Sequence, residues 1–192
     1  MTSTSASGVT FTTNLGEGCN AMFLRMITRD TVSQPATRRK QTYADAALAA
    51  LKANYHLTNQ QIIIYGHSIG TAASIDLAKN NAGLAGLILI SPFMSAIRIL
   101  FPSLAFSCCC DCFPSIDKIS SVMCRTLIIE PGNDDLFGPN NGHAAALQAR
   151  LRYPVNSLRI QGGHSDIEHT NACWGRLDQF ITQEAGPMNV GV

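Results

Sequence analysis

Two kinds of apolar run alternate along most of this chain. The short kind is rich in branched side chains: 61–65 holds Ile62, Ile63 and Ile64, similar runs occupy 84–90 and 127–129, and a fourth strand is read at 158–161, where Leu158 and Ile160 alternate with polar residues. Such runs suit strands buried on both faces, because a strand with one wet face would alternate polar and apolar positions instead. The longer kind spaces its apolar residues by three and four. It predicts helices ending near Asn54 (with Ala46, Ala47, Leu48, Ala50 and Leu51), over 71–79, over 144–151 and over 174–184. The last three strands each have a stop signal after them: Ser91-Pro92, Pro131-Gly132 and Gly162-Gly163. Strands of this sort alternating with helices predict an α/β fold, with a mainly parallel sheet and helices on both faces.

The first 41 residues break the pattern. They are rich in Ser, Thr, Gly and Asn, and only 22–27 could form a strand. The expected organisation is a divergent segment at 1–41, a core at 42–185 containing an apolar cap at 93–114, and a flexible tail at 186–192.

Composition narrows the function classes. The chain has 192 residues, of which 46% are hydrophobic and 14% charged, enough to bury a core. Net charge is +1, and Arg38-Arg39-Lys40 is the one dense basic run, so a nucleic-acid partner is not expected. No secretory leader is legible in the first ten residues, and no run approaches a membrane span. Seven cysteines, three of them adjacent at Cys108-Cys109-Cys110, fit a disulfide framework poorly and point to a reducing, cytoplasmic setting. Cys108–Cys112 with Asp111 lack the second ligand pair that a zinc site needs, so no metal and no cofactor is expected.

The chemistry is concentrated at strand ends. Gly66-His67-Ser68-Ile69-Gly70 is a G-x-S-x-G pentapeptide directly after one predicted strand and directly before a predicted helix. That is the setting of a nucleophile elbow, with Ser68 raised above the sheet and the Ile69 N–H ready to hold an oxyanion. A serine hydroxyl needs a base, and the base an orienting acid, which in this arrangement follow in the order Ser, acid, His. Asp134 and Asp135 follow the 127–129 strand, and His164 follows the 158–161 strand. Both aspartates are eligible as the acid. His169 is a weaker rival to His164 because it is expected inside the closing helix. His56, His67 and His143 have no matching acid and read as structural or exposed. Phe101, Leu104, Phe106, the cysteines and Phe113 could line a greasy cap over Ser68, suited to an acyl chain.

A resemblance adds to this reading. Tyr43-Ala44-Asp45-Ala46, the run from Ile63 through Ser68 to Thr71, Ser91-Pro92, Arg98 with Phe101-Pro102, Asp111-Cys112-Phe113-Pro114, Ile116-Asp117-Lys118-Ile119, and Gly163-His164-Ser165-Asp166-Ile167-Glu168 together resemble the alpha/beta hydrolase domain-containing protein 17 family. The likeness covers about 43–184 and implies the α/β-hydrolase fold. It implies a palmitoyl-protein thioesterase that takes S-acylated membrane proteins as substrates from the cytoplasmic face, with peripheral membrane contact. Position by position it marks Ser68 as nucleophile, Asp134 rather than Asp135 as acid, and His164 as base. The chain departs from the family in having no His-Gly-Asn loop early on, fewer than the family's several strands before Tyr43, and only Cys19 in place of an N-terminal cysteine cluster, as if truncated at its N-terminus; the resemblance thus implies that the sheet's early strands are missing or divergent. Glu130-Pro131 also stands where the family has His-Gly. Two other readings follow: another ester, lipid or peptide hydrolase of the same fold, or an inactive truncated hydrolase that serves as a binding module.

Overall fold

The computed structural model describes residues 3–6, 9–13, 22–26, 36–101 and 111–186. Seven strands form one sheet in strictly sequential order: β1 (Ser3–Ala6), β2 (Val9–Thr13), β3 (Met22–Met26), β4 (Ile62–His67), β5 (Gly86–Ile90), β6 (Thr126–Pro131) and β7 (Leu158–Ile160). β1, β2 and β3 pair antiparallel, and every pair from β3 to β7 is parallel.

Among the described residues three strands, β1 to β3, precede β4 in the sheet, within the segment whose sequence is divergent. Met22–Met26 matches the strand suspected at 22–27, and it joins the core in register, Met22 beside Ile62 and Met26 beside Gly66. β1 and β2 gave no clear signal, since Ser and Thr carry little hydrophobic periodicity.

The helices are α1 (Ala36–Tyr55), α2 (Gly70–Asn80), α3 (Ala96–Leu100), α4 (Ser115–Lys118), α5 (His143–Gln148) and α6 (Asn171–Gln179). α6 runs on through one wider π-helical turn, Phe180–Glu184. α1 begins about ten residues before its first periodic apolar positions, and α6 begins three residues before the predicted 174. There the Thr170 hydroxyl accepts the Cys173 N–H and caps the helix.

The unbroken apolar strands are explained by two cores. Ile62 and Ile64 of β4, Leu87 and Leu89 of β5, and Ile128 of β6 face one core with Leu48 and Leu51 of α1, Ile75 and Leu77 of α2, and Leu147 of α5. Their neighbours Ile63, Tyr65, Ile88, Ile90, Leu127 and Ile129 face the other, with Cys173, Leu177 and Phe180. Successive side chains of a strand point to opposite faces, so both sets must be apolar. The division of labour follows from the strand order. A sheet that grows in one direction through right-handed crossovers puts each crossover helix on the same face. Among the described residues, α6 and its extension are the helix that covers the opposite face.

Residues 102–110, the middle of the expected cap with Leu104, Phe106 and Cys108 to Cys110, lie outside the described residues, as do 187–192 of the expected tail.

Candidate active site

The C-terminal ends of four adjacent parallel strands bring the sequence-predicted residues together. β4 delivers Ser68. Its φ is +51°, in the left-handed region that a non-glycine residue enters at a cost of about 1–2 kcal/mol. Two anchors hold that conformation: the Ser68 N–H donates to the Ile90 carbonyl at 2.9 Å, and the Ser68 carbonyl accepts from Thr71 N (2.9 Å) and Thr71 Oγ1 (2.6 Å). The sharp turn thus falls on the serine itself. Gly66 serves a different purpose from the one its place in the motif suggests. A Cβ there would lie 2.8 Å from both Gly70 O and Thr71 Cα, so it is glycine because β4 and α2 pack backbone to backbone. Ile69, whose N–H is the candidate oxyanion donor, stands at the N-terminus of α2.

β6 delivers both aspartates, and they take different parts of the same histidine. Asp134 is 3% exposed, with Oδ1 and Oδ2 lying 3.2 and 3.0 Å from His164 Nδ1. Its Oδ1 also accepts the N–H groups of Leu136 (2.9 Å) and Phe137 (2.8 Å), which fixes the carboxylate plane. Asp135 is exposed and accepts the main-chain N–H of His164 at 2.7 Å. That hydrogen bond is the main reason its carboxyl is held below its ordinary value of 3.8, with its own N–H adding to the effect.

β7 delivers His164, buried, with Nε2 2.7 Å from Ser68 Oγ. The tautomer follows from the partners. An ionised Asp134 can only accept, so Nδ1 carries the proton, and Nε2 is left to accept from the serine hydroxyl. The Phe137 ring meets the imidazole edge to face at 4.6 Å, and Phe93 packs behind it at 5.8 Å. His143, buried and close enough to Asp134 to feel its charge, has its imidazole pKa lowered by burial against a smaller opposing pull from that carboxylate.

The ordered surroundings hold residues that sequence reasoning passed over. Ser91 was read only as a strand stop, yet its Oγ donates to the His164 carbonyl at 2.8 Å. His67, read as structural or exposed, has Nε2 3.4 Å from that same carbonyl and Nδ1 3.9 Å from Glu168 Oε2. Tyr65 donates its hydroxyl to Glu168 Oε1 at 2.5 Å. His169 lies in the short 3₁₀ turn Asp166–His169, just before α6 and not within it. Single-sequence motifs could not have flagged these groups, because their partners lie on other strands. Among the described residues, no group of three His, Cys, Asp or Glu side chains could hold a metal ion, and no helix is long and apolar enough to cross a membrane.

No family model matches the chain. The chain is 40% identical over 154 residues to the alpha/beta hydrolase domain-containing protein aho-3 of Caenorhabditis elegans, covering 79% of this chain and 46% of that one. It is 41% identical over 148 residues to alpha/beta hydrolase domain-containing protein 17B of Homo sapiens, covering 76% and 50%. It is 42% identical over 156 residues to protein 17C of Xenopus tropicalis, covering 80% and 49%. The chain thus spans about half the length of the curated relatives it matches. Among solved structures, the Pyrococcus furiosus esterase Pf2001 superposes with a TM-score of 0.63 at 14% identity, covering 83% of this chain and 70% of that one. A sugar hydrolase of Lactococcus lactis superposes with the same score and identity over 94% and 93%. The fold is the α/β-hydrolase fold, and over about four-fifths of its length the chain is similar to alpha/beta hydrolase domain-containing proteins 17B, 17C and aho-3.

Proposed function

We propose that this chain is a serine hydrolase acting on acyl thioesters, with Ser68 as nucleophile, His164 as general base and Asp134 as the acid that orients it. The observation that carries the reading is the unbroken chain from Ser68 Oγ to His164 Nε2 at 2.7 Å, and from His164 Nδ1 to Asp134 at 3.0 Å. His164 takes the hydroxyl proton as Ser68 Oγ bonds to the carbonyl carbon, and the charge on the ring is balanced by Asp134. The oxyanion that forms faces the Ile69 N–H at the helix N-terminus. Collapse of the tetrahedral intermediate breaks the C–S bond, and the departing thiolate takes the proton from His164. Water, deprotonated by the same nitrogen, then releases the acid and restores Ser68.

The thioester preference comes from the likeness to the protein 17 family, which implies palmitoyl-protein substrates at the cytoplasmic face of a membrane. Two exposed apolar side chains support an acyl ligand: Ile69 (37% exposed) adjoins Ser68 in sequence, and Leu136 (62% exposed) follows the aspartates. Exposed apolar side chains at those two points suit a fatty chain better than a charged or sugar substrate.

The test is labelling of the folded chain by a fluorophosphonate, beside Ser68→Ala and His164→Ala, followed by a panel of long-chain thioester, ester and amide substrates. Labelling that both substitutions abolish, with thioester turned over fastest, is the expected result. A folded chain that stays unlabelled would overturn the hydrolase reading, and a faster ester or amide would overturn the thioester assignment alone.

A further inference from the structure

We propose that Ser91 is a positioning residue that holds His164 in line with Ser68; its catalytic consequence rests on the serine-hydrolase reading above. Ser91 stands on β5 where Ser68 stands on β4. The register pairs His67 with Ile90, so the two serines are the next residues along neighbouring strands. Each extends its ladder by one bond, Ser68 N–H to Ile90 O and Ser91 N–H to Ile129 O, both at 2.9 Å. Each then turns into the left-handed region, at φ +51° and +49°.

Glycine would adopt that conformation without strain, so the hydroxyl is the feature that distinguishes serine here. Ser91 is 1% exposed, and its hydroxyl donates to the His164 carbonyl at 2.8 Å. The opposite side of the same residue is held by Asp135, which accepts the His164 N–H at 2.7 Å. His164 is therefore gripped at its N–H by Asp135 past the end of β6, at its carbonyl by Ser91 just past β5 at 2.8 Å with His67 of β4 farther off at 3.4 Å, and at its ring by Asp134. Loop residues next to glycines such as Gly162 and Gly163 are free to swing, and a ring on such a loop keeps its aim only if its peptide groups are tied down. Ser91 supplies the tie to the strand that lies between the nucleophile's strand and the acid's.

Wild type, Ser91→Ala and Ser91→Gly are compared in two ways. The first is the rate of fluorophosphonate labelling, with kcat and KM on a long-chain thioester. The second is the exchange with water of the His164 Nδ1 proton, followed by NMR on histidine-labelled protein. Ser91→Gly removes the hydroxyl and relieves the backbone strain together, so it keeps the fold even if Ser91→Ala loosens it. The expected result is a labelling rate and kcat lower by about tenfold to a hundredfold in both variants, with KM unchanged and faster Nδ1 proton exchange. Wild-type rates and exchange in Ser91→Gly would overturn the proposal, as would a slower rate with unchanged exchange. If wild type itself is not labelled, the hydrolase reading fails while the exchange measurement still decides whether Ser91 holds His164.

Discussion

Replacing Gly66 by alanine adds one methyl group where β4 crosses the start of α2. That methyl would lie 2.5 Å from Ser74 Oγ, 2.8 Å from Gly70 O and 2.8 Å from Thr71 Cα. The serine hydroxyl can rotate away, but the other two atoms are backbone, and they belong to the turn that carries Ser68. Relief therefore requires the helix to lift from the strand. Overpacking a well-packed core costs about 1–3 kcal/mol, and two immovable contacts put Gly66→Ala near the top of that range, about 3 kcal/mol. For a domain of this length each kcal/mol lowers Tm by roughly 2–4 °C, so a fall of about 6–12 °C is expected. The assay is denaturant unfolding of both proteins with the slope m held as a check on two-state behaviour, together with Tm. Labelling of Ser68 should slow as well, because a displacement near 1 Å at a reacting group can cost on the order of 10² in rate. A loss below about 0.5 kcal/mol, the scale of an ordinary surface change, with labelling at the wild-type rate, would refute the close-approach argument.

The two aspartates should separate cleanly: Asp134→Asn should slow labelling or turnover by on the order of 10⁴, because an amide cannot hold the same imidazole tautomer, while Asp135→Asn keeps an acceptor for the His164 N–H and should stay within about tenfold of wild type. His143 is buried with its pKa below 6.5, so its contribution to stability is fully present above pH 6.5 and is lost as pH falls from there toward the folded-state value. His143→Leu should flatten that part of the stability–pH curve, and an unchanged curve in the denaturation midpoints would contradict the assignment. Burial pushes the Cys124 thiol up to about 12 and Cys173 to about 11, so peptide mapping after iodoacetamide should find both unmodified in the native protein and modified once it is unfolded.

The strand-end chemistry was legible because its signals are local. An apolar run, a G-x-S-x-G and a helix pattern in immediate succession located Ser68, and chain order located Asp134 and His164. The choice between the aspartates was not legible from the residues alone, since both sit on the same turn. What separates them is which carboxylate the Leu136 and Phe137 N–H groups orient toward the ring and which one meets the main chain. Ser91 and Glu168 were missed for a related reason: their partners are 73 and 103 positions away. β1 and β2 escaped detection because hydroxyl-bearing residues pair through the backbone while leaving no apolar rhythm in the sequence. β4 read two residues short, because Gly66 and polar His67 ended the apolar run before the backbone pairing ended.

The unreversed strand order also has a consequence for biosynthesis. Translation completes the first core once α5 has emerged, because α1, α2, α4 and α5 all lie on that face. The opposite face, with Ile63, Ile88, Leu127 and Ile129, stays bare until the ribosome has released Cys173, Leu177 and Phe180. For that interval the nascent chain carries a broad greasy surface already assembled on a formed sheet, which is the kind of surface that holdase chaperones engage. Nascent chains stalled before Asn171 should therefore associate with chaperones more strongly than either shorter or full-length ones.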